Sequence, residues 1–198
     1  MTKLDKQKAF FKGYFIGKGM TEALKSFELA SRYHTGTRKN GADEITHQIA
    51  IAGMIIQTYE NRISQIELEN LICIAFLHDI KEDYNVDVSK HNLEPYVFAV
   101  DILSKTKDIS LDEYFGVISE SLDTSIVKAF DRLCNLQTMV GAFSKEKIVE
   151  YIKETEQYVY PMINYARDTY YKHYMVFVSI KQQMELIIRL IKDLMNLK

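Results

Sequence analysis

The residues of this chain that could do chemistry stand at the end of an unusually apolar segment. In the stretch LICIAFLHDIKEDY, residues 71–84, seven apolar residues lead to His78 and Asp79, and Glu82 and Asp83 follow shortly after. A carboxylate in apolar surroundings is costly unless it is paired, hydrogen-bonded or bound to a metal. We therefore expect the segment either to surface at His78 or to open into a site where these charges have partners.

The order His78–Asp79 restricts how the two side chains could act together. Adjacent side chains on a helix point about 100° apart, so two neighbours reach one metal ion only near a helix end. The apolar segment is expected to end at this point. A histidine in this position is by itself more often structural, and it is the adjacent Asp79 that favours a metal site.

His47 and Asp131 are the further candidate ligands. His47 lies on the preceding predicted helix, away from its main apolar stripe. Asp131 lies on a later helix and shares one face with Asn135 and Thr138, at i+4 and i+7. Taken singly, a solvated helix face explains each of these residues equally well. Together with the adjacent His-Asp pair they give two imidazoles and two carboxylates, which suit Mn²⁺, Fe²⁺ or Zn²⁺ better than Ca²⁺.

The elements that must position these residues are helices. The 198 residues include only 8 Gly and 2 Pro, and so few helix breakers favour an all-α fold. Hydrophobic periodicity predicts about eight or nine helices, at about residues 5–17, 21–34, 44–61, 66–80, 93–104, 112–120 and 123–141, with two or three more from about 145 onwards. No linker or repeat interrupts the chain, so we expect one domain over residues 1–198.

Cap residues and apolar spacing refine two of these helices. Thr21 is the expected N-cap of the second helix. Asp123 or Thr124 is the expected N-cap of the helix that carries Asp131, and Gly141 its C-cap. The apolar side of that helix is expected to consist of Ile126, Phe130, Leu133, Leu136 and Val140.

Charge and composition exclude several classes of function. The net charge of −2 and the pI of about 6.2 show no overall excess of positive charge of the kind that binds nucleic acid. No stretch is long and apolar enough to span a membrane, and the N-terminus does not resemble a signal peptide. The two cysteines do not suggest a disulfide framework, since Cys73 lies inside the apolar segment and Cys134 on another helix. A reducing cytoplasm is the expected location.

The ordered set of His47, His78–Asp79 and Asp131 resembles the pattern of the HD superfamily of metal-dependent phosphohydrolases, which are helical bundles. The flanking segments ASRYHTGTRKNGADEITHQIAIAG, IAFLHDIKED and VKAFDRLCNLQTM look like the corresponding segments of the alarmone hydrolases of the RelA/SpoT group. The likeness extends from about Ala30 to Met139. It implies a single all-α HD domain, with a motif-bearing core at about 21–141 and C-terminal helices at about 145–198.

The resemblance also implies roles for individual residues. It assigns a divalent metal, typically Mn²⁺, to His47, His78, Asp79 and Asp131. It assigns the attacking water to Glu82 and Asp83, which would position or activate it. It assigns the contacts with the substrate to Arg38, Lys39, Asn135 and Thr138. The implied reaction removes pyrophosphate from the 3′ position of guanosine tetra- or pentaphosphate, so the expected partner is a small phosphorylated nucleotide.

Several departures from the family pattern leave alternatives open. The segment that reads P-Y-I-x-H-P in the group is DEITHQ here, Cys134 replaces a usual histidine, and Asp43 and Glu44 add negative charge. A first alternative is a phosphohydrolase acting on an adenosine alarmone, a nucleoside 5′-monophosphate or a phosphorylated dinucleotide such as NADPH. A second is a non-catalytic nucleotide-binding module. The Tyr-rich segment and the long final helix could form a homo-oligomer interface, although core packing is the expected use.

Overall fold

The computed structural model describes residues 1–197, in which the regular secondary structure is entirely helical. This part of the chain contains no β-strand, and its one isolated β-bridge joins Thr37 to Asp43 in a loop. The predicted all-α class is therefore confirmed. None of the helices within these residues has both the length and the apolar character needed to cross a membrane.

Eleven α-helical segments follow one another along the chain. They are α1 Lys3–Lys18, α2 Thr21–Tyr33, α3 Thr46–Tyr59, α4 Gln65–Leu77, α5 Ile80–Tyr84, α6 Val97–Leu103, α7 Leu111–Ser119, α8 Leu122–Thr138, α9 Lys145–Glu154, α10 Tyr160–Thr169 and α11 Tyr174–Leu194. Single 3₁₀ turns cover Val88–His91, Glu94–Tyr96 and Tyr171–His173, and a π-helical turn, Thr155–Val159, joins α9 to α10. With α4–α5 and α9–α10 each taken as one run, the described residues form nine helices, in line with the predicted number.

The helices gather into two compact units, Met1–Ser104 and a second that begins at Lys105. The sequence has no Pro- or Gly-rich linker at this point and therefore predicts no boundary there. The prediction of one HD domain over the whole chain stays a prediction.

In the first unit α4 is the central helix, and it packs against α2, α3 and α6. Every residue from Leu71 to His78 is buried, as expected for a helix that is apolar on all sides. Phe76 on α4 meets the rings of Phe11, Phe15 and Phe27, with centroids 5.2–6.1 Å apart. Burial of each such ring contributes about 1.5–3 kcal/mol, so this cluster fixes the position of the helix that ends at His78.

In the second unit α8 packs against α7, α10 and α11. Ile126, Phe130, Leu133 and Leu136 are buried as predicted, whereas Val140 is 52% exposed because the helix ends at Thr138.

Arg132 is also buried in the second unit, where it pairs with Glu154 and lies 4.0 Å from the ring of Tyr151. The sequence pattern did not single out this arginine, since nothing in the spacing around it identifies its partners on α9.

The predicted helix caps are wrong in three places. Thr21 is the first residue of α2, and its N-cap is Met20. Helix α8 begins at Leu122, so Asp123 and Thr124 lie in its first turn. Thr124 is buried, and its hydroxyl donates to the carbonyl of Ile118 at 2.9 Å instead of capping the helix. Gly141 lies beyond the C-cap, Met139, and has a positive φ of 82°.

Candidate metal centre

Three of the predicted ligands lie together at the end of α4. His47 is the second residue of α3, and His78 and Asp79 form the short link between α4 and α5. One ligand atom from each residue lies within 4.8 Å of the other two. These three residues could hold a metal ion, which confirms the coarser part of the metal prediction.

The two nitrogens of His78 have clearly different surroundings. Nδ1 lies 2.9 Å from the carbonyl oxygen of Ala75, and because a carbonyl only accepts hydrogen bonds, Nδ1 must carry the hydrogen. Nε2 lies 2.8 Å from Oδ2 of Asp79. In a neutral ring Nε2 then directs its lone pair at a carboxylate oxygen, an arrangement that needs a proton or a metal ion between them. A backbone bond at the other nitrogen is typical of metal-binding histidines.

His47 approaches the same carboxylate from α3. Its Nε2 lies 3.9 Å from Oδ2 of Asp79, and the rings of His47 and His78 have centroids 5.5 Å apart. Only 4% of His47 is exposed, although it lies off the predicted apolar stripe of its helix. The Asp79 side chain keeps 28% of its surface exposed, so the group is open on one side. Two imidazoles and one carboxylate with an open side suit a divalent metal that also binds a substrate.

A second group, which the sequence did not predict, lies in the same unit. It consists of His34 at the end of α2, Glu44 before α3 and Asp83 on α5, again with one ligand atom each within 4.8 Å. Nδ1 of His34 lies 3.8 Å from Oε1 of Glu44. Oε2 of Glu44 accepts hydrogen bonds from the Tyr84 hydroxyl at 2.5 Å and from the backbone N–H of Gly36 at 3.3 Å.

Negative charge is concentrated around Asp83. Its pKa is raised to about 6, mainly by desolvation and then by the charges of Asp79, Glu82 and Glu44. Burial lowers the pKa of His34, and the negative charges of Asp79 and Glu44 only partly oppose this effect. Asp83 and Glu82 lie on the exposed side of α5.

Arg38 and Lys39 lie in the loop before α3, as predicted. The backbone N–H of Arg38 donates to the carbonyl of Ala42 at 2.9 Å, and that of Gly41 to the carbonyl of Arg38 at 2.8 Å. Gly41 has a φ of 81°, which a residue without a side chain adopts at little cost. The tight turn leaves Arg38 half-buried and Lys39 exposed.

Asp131, Asn135 and Thr138 belong to α8 in the second unit. Asp131 is only 4% exposed, so the solvated-face interpretation of this residue is wrong. Its Oδ1 accepts a hydrogen bond from Asn135 at 2.7 Å, and its Oδ2 lies 3.1 Å from the ammonium group of Lys128. The hydroxyl of Thr138 donates to the carbonyl of Cys134 at 3.0 Å. The roles of Asp131 as a metal ligand and of Asn135 and Thr138 as nucleotide contacts stay predictions.

Sequence reasoning named His47, His78 and Asp79 but not His34. The missed signal was the position of His34 next to the Gly36–Arg38 turn, in the very segment that carries the resemblance. The sequence identifies Glu44 only as an added negative charge near the expected site.

The chain matches no family model, and no curated protein matches its sequence. The resemblance to the alarmone hydrolases thus depends on the motifs alone.

Proposed function

We propose that this protein is a metal-dependent phosphohydrolase that removes the 3′-pyrophosphate from guanosine tetra- or pentaphosphate. The observation that carries the proposal is the 2.8 Å approach of His78 Nε2 to the Asp79 carboxylate, next to the buried His47. The motif resemblance then favours this reaction over others that use a divalent metal.

Mn²⁺ is the proposed ion, and Fe²⁺ and Zn²⁺ are alternatives because they also bind imidazole and carboxylate ligands. His47, His78 and Asp79 would hold it, and Asp131 is the proposed fourth ligand. When bound, such an ion stabilises negative charge on phosphoryl oxygens and makes water more acidic.

Glu82 and Asp83 are the proposed water-handling pair. Asp83 lies one helical turn after Asp79, since its backbone N–H donates to the carbonyl of Asp79 at 2.9 Å. A carboxylate whose pKa lies at about 6 retains more basicity than an ordinary aspartate, which suits a group that takes a proton from water.

Arg38 and Lys39 are the proposed partners of the pyrophosphate. A guanidinium group can donate two parallel hydrogen bonds to a phosphoryl group, and the half-buried position of Arg38 restricts its motion. Asn135 and Thr138 are proposed to contact the nucleotide. The proposed location is the cytoplasm.

A second candidate is a phosphohydrolase for a different nucleotide, such as an adenosine alarmone, a nucleoside 5′-monophosphate or NADPH. It is favoured by the carboxylate of Glu44, which adds negative charge at a site expected to bind a highly charged anion. The change of the family segment to DEITHQ would also reshape the substrate pocket.

A panel of substrates separates these candidates. Metal-free protein is loaded with Mn²⁺ and incubated with ppGpp, an adenosine alarmone, GMP, AMP and NADPH, and the products are identified by chromatography. We expect ppGpp to be cleaved fastest. Faster cleavage of any other nucleotide would replace the substrate assignment, and cleavage of none would favour the non-catalytic binding module.

A further inference from the structure

His34 and Glu44 have no role in the proposed reaction as the motifs describe it, yet they form a group with Asp83, one of the proposed water-handling pair. Its ligand atoms converge within 4.8 Å, which is a close approach for one imidazole and two carboxylates from three separate segments. Acidic residues alone would not indicate a site, because exposed carboxylates cluster for many reasons. The buried histidine is what distinguishes this group.

His34 is 2% exposed, and within residues 1–197 its Nδ1 has no hydrogen-bond partner. The nearest carboxylate oxygen, Oε1 of Glu44, lies 3.8 Å away, beyond hydrogen-bond reach. Burial of a polar nitrogen without a hydrogen-bond partner destabilises the folded protein. A cation between Nδ1 and Oε1 would satisfy both atoms.

Gln48 can set the tautomer that such a cation needs. Its side-chain amide lies 3.4 Å from Nε2 of His34, and its Oε1 has no partner within residues 1–197. With the amide turned so that Oε1 faces the ring, Gln48 accepts from Nε2–H and the lone pair of Nδ1 points towards Glu44. Both unpartnered atoms are then accounted for, in the manner of the outer residues that orient metal-binding histidines.

The surrounding residues also fix the carboxylate. The hydroxyl of Tyr84 and the backbone N–H of Gly36 both bind Oε2 of Glu44, which leaves Oε1 on the side of His34. The ring of Tyr84 packs edge-on against that of His34, with centroids 5.0 Å apart. Two of the three ligands are thus held in place before any ion binds.

We propose that His34, Glu44 and Asp83 form a second site for a first-row divalent metal, next to the group of His47, His78 and Asp79. The two groups are linked through α5, because Asp83 follows Asp79 by one turn. A neutral imidazole with two carboxylates suits Mn²⁺, Fe²⁺ or Zn²⁺. With Asp83 as a ligand, Glu82 is the carboxylate left to accept a proton from water. The inference concerns metal content and does not depend on the substrate.

Metal stoichiometry tests the proposal directly. Metal-free protein is dialysed to equilibrium against increasing concentrations of Mn²⁺, and bound metal is measured by mass spectrometry of the digested samples. We expect the wild-type protein to saturate at two ions per chain, and His34→Gln and Asp83→Asn each to saturate at one. His47→Gln is expected to lose the other ion, and the double variant His34→Gln/His47→Gln to bind none.

Two controls keep the result interpretable. His91→Gln replaces a half-buried histidine outside both groups and should leave the stoichiometry at two. Asp83 lies at the surface, so Asp83→Asn tests the site without disturbing the core around His34, and circular dichroism checks folding of every variant.

Saturation of the wild type at one ion or none would overturn the proposal, as would retention of two ions by His34→Gln and Asp83→Asn. Two bound ions without cleavage of ppGpp would refute only the proposed function.

Discussion

Nε2 of His78 lies 2.8 Å from Oδ2 of Asp79, although the two residues are neighbours in sequence. Adjacent side chains on a regular helix diverge, and here they meet because α4 ends at Leu77 and α5 begins at Ile80. Since Nδ1 of the same ring is already bound to the carbonyl of Ala75, Nε2 is the nitrogen that remains for a proton or a metal ion shared with this carboxylate. This relationship is the basis of the candidate metal centre and of the first prediction.

Replacement of Asp79 by Asn removes the charge and keeps the size of the side chain. We expect Mn²⁺ affinity at this centre to fall by at least about 100-fold. Loss of a direct ligand should cost more than the loss of a group that hydrogen-bonds to a ligand, which typically lowers affinity by about 10–100-fold. Isothermal titration calorimetry measures the change. Asp101→Asn, which affects a surface carboxylate paired with Lys81, is the matched control and should bind as the wild type does. Unaltered binding by Asp79→Asn would place the metal elsewhere.

The ring cluster around Phe76 is predicted to hold α4 in place. Phe76→Ala should lower the free energy of unfolding by about 3–5 kcal/mol, because the side chain is fully buried and its removal leaves a cavity. Chemical denaturation followed by circular dichroism gives the value. Phe10→Ala, at a position that is 64% exposed, should change stability by less than about 1 kcal/mol. Equal effects of the two substitutions would mean that the cluster is not the core of this unit.

Arg132 and Glu154 give a prediction for the second unit. Glu154→Ala leaves a buried guanidinium group without its carboxylate, which typically costs about 3–5 kcal/mol, and partial exposure of Glu154 reduces the expected loss to about 2–3 kcal/mol. Glu150→Ala on the same helix breaks an exposed pair with Lys147 and should cost less than about 1 kcal/mol. Thermal unfolding of both variants makes the comparison, and a smaller loss for Glu154→Ala than for Glu150→Ala would contradict it.

The thiol of Cys73 is predicted to resist modification. Burial raises its pKa to about 12 from the ordinary value of 9.0, so almost no thiolate exists in the folded protein at pH 8. Because the pKa of this thiol is higher in the folded than in the unfolded protein, its contribution to the free energy of unfolding is fully present below about pH 9. This contribution is lost as the pH rises from about 9 towards 12. Labelling with iodoacetamide at pH 8, read by peptide mass spectrometry, should be at least about 1000-fold slower in folded than in denatured protein. Rapid labelling of Cys73 in folded protein would contradict its burial.

Much of the fold was predictable because helix formation leaves a strong periodic signal. The apolar segment that ends at His78 marked a central helix, and the same segment placed His78 and Asp79 at a helix end. Helix caps were less predictable. Thr124, for example, is buried, and its hydroxyl donates to the carbonyl of Ile118 instead of capping α8. The proximity of His34 to Glu44 was not predictable, because it depends on how the loop after α2 folds.

Release of pyrophosphate from ppGpp is the measurement that decides the proposed function. Metal-free protein reconstituted with Mn²⁺ is predicted to convert ppGpp and water into GDP and pyrophosphate in equal amounts, with no reaction after chelation or in Asp79→Asn. The absence of pyrophosphate from ppGpp in the Mn²⁺-loaded wild type, or the same rate in Asp79→Asn, would contradict the proposed function.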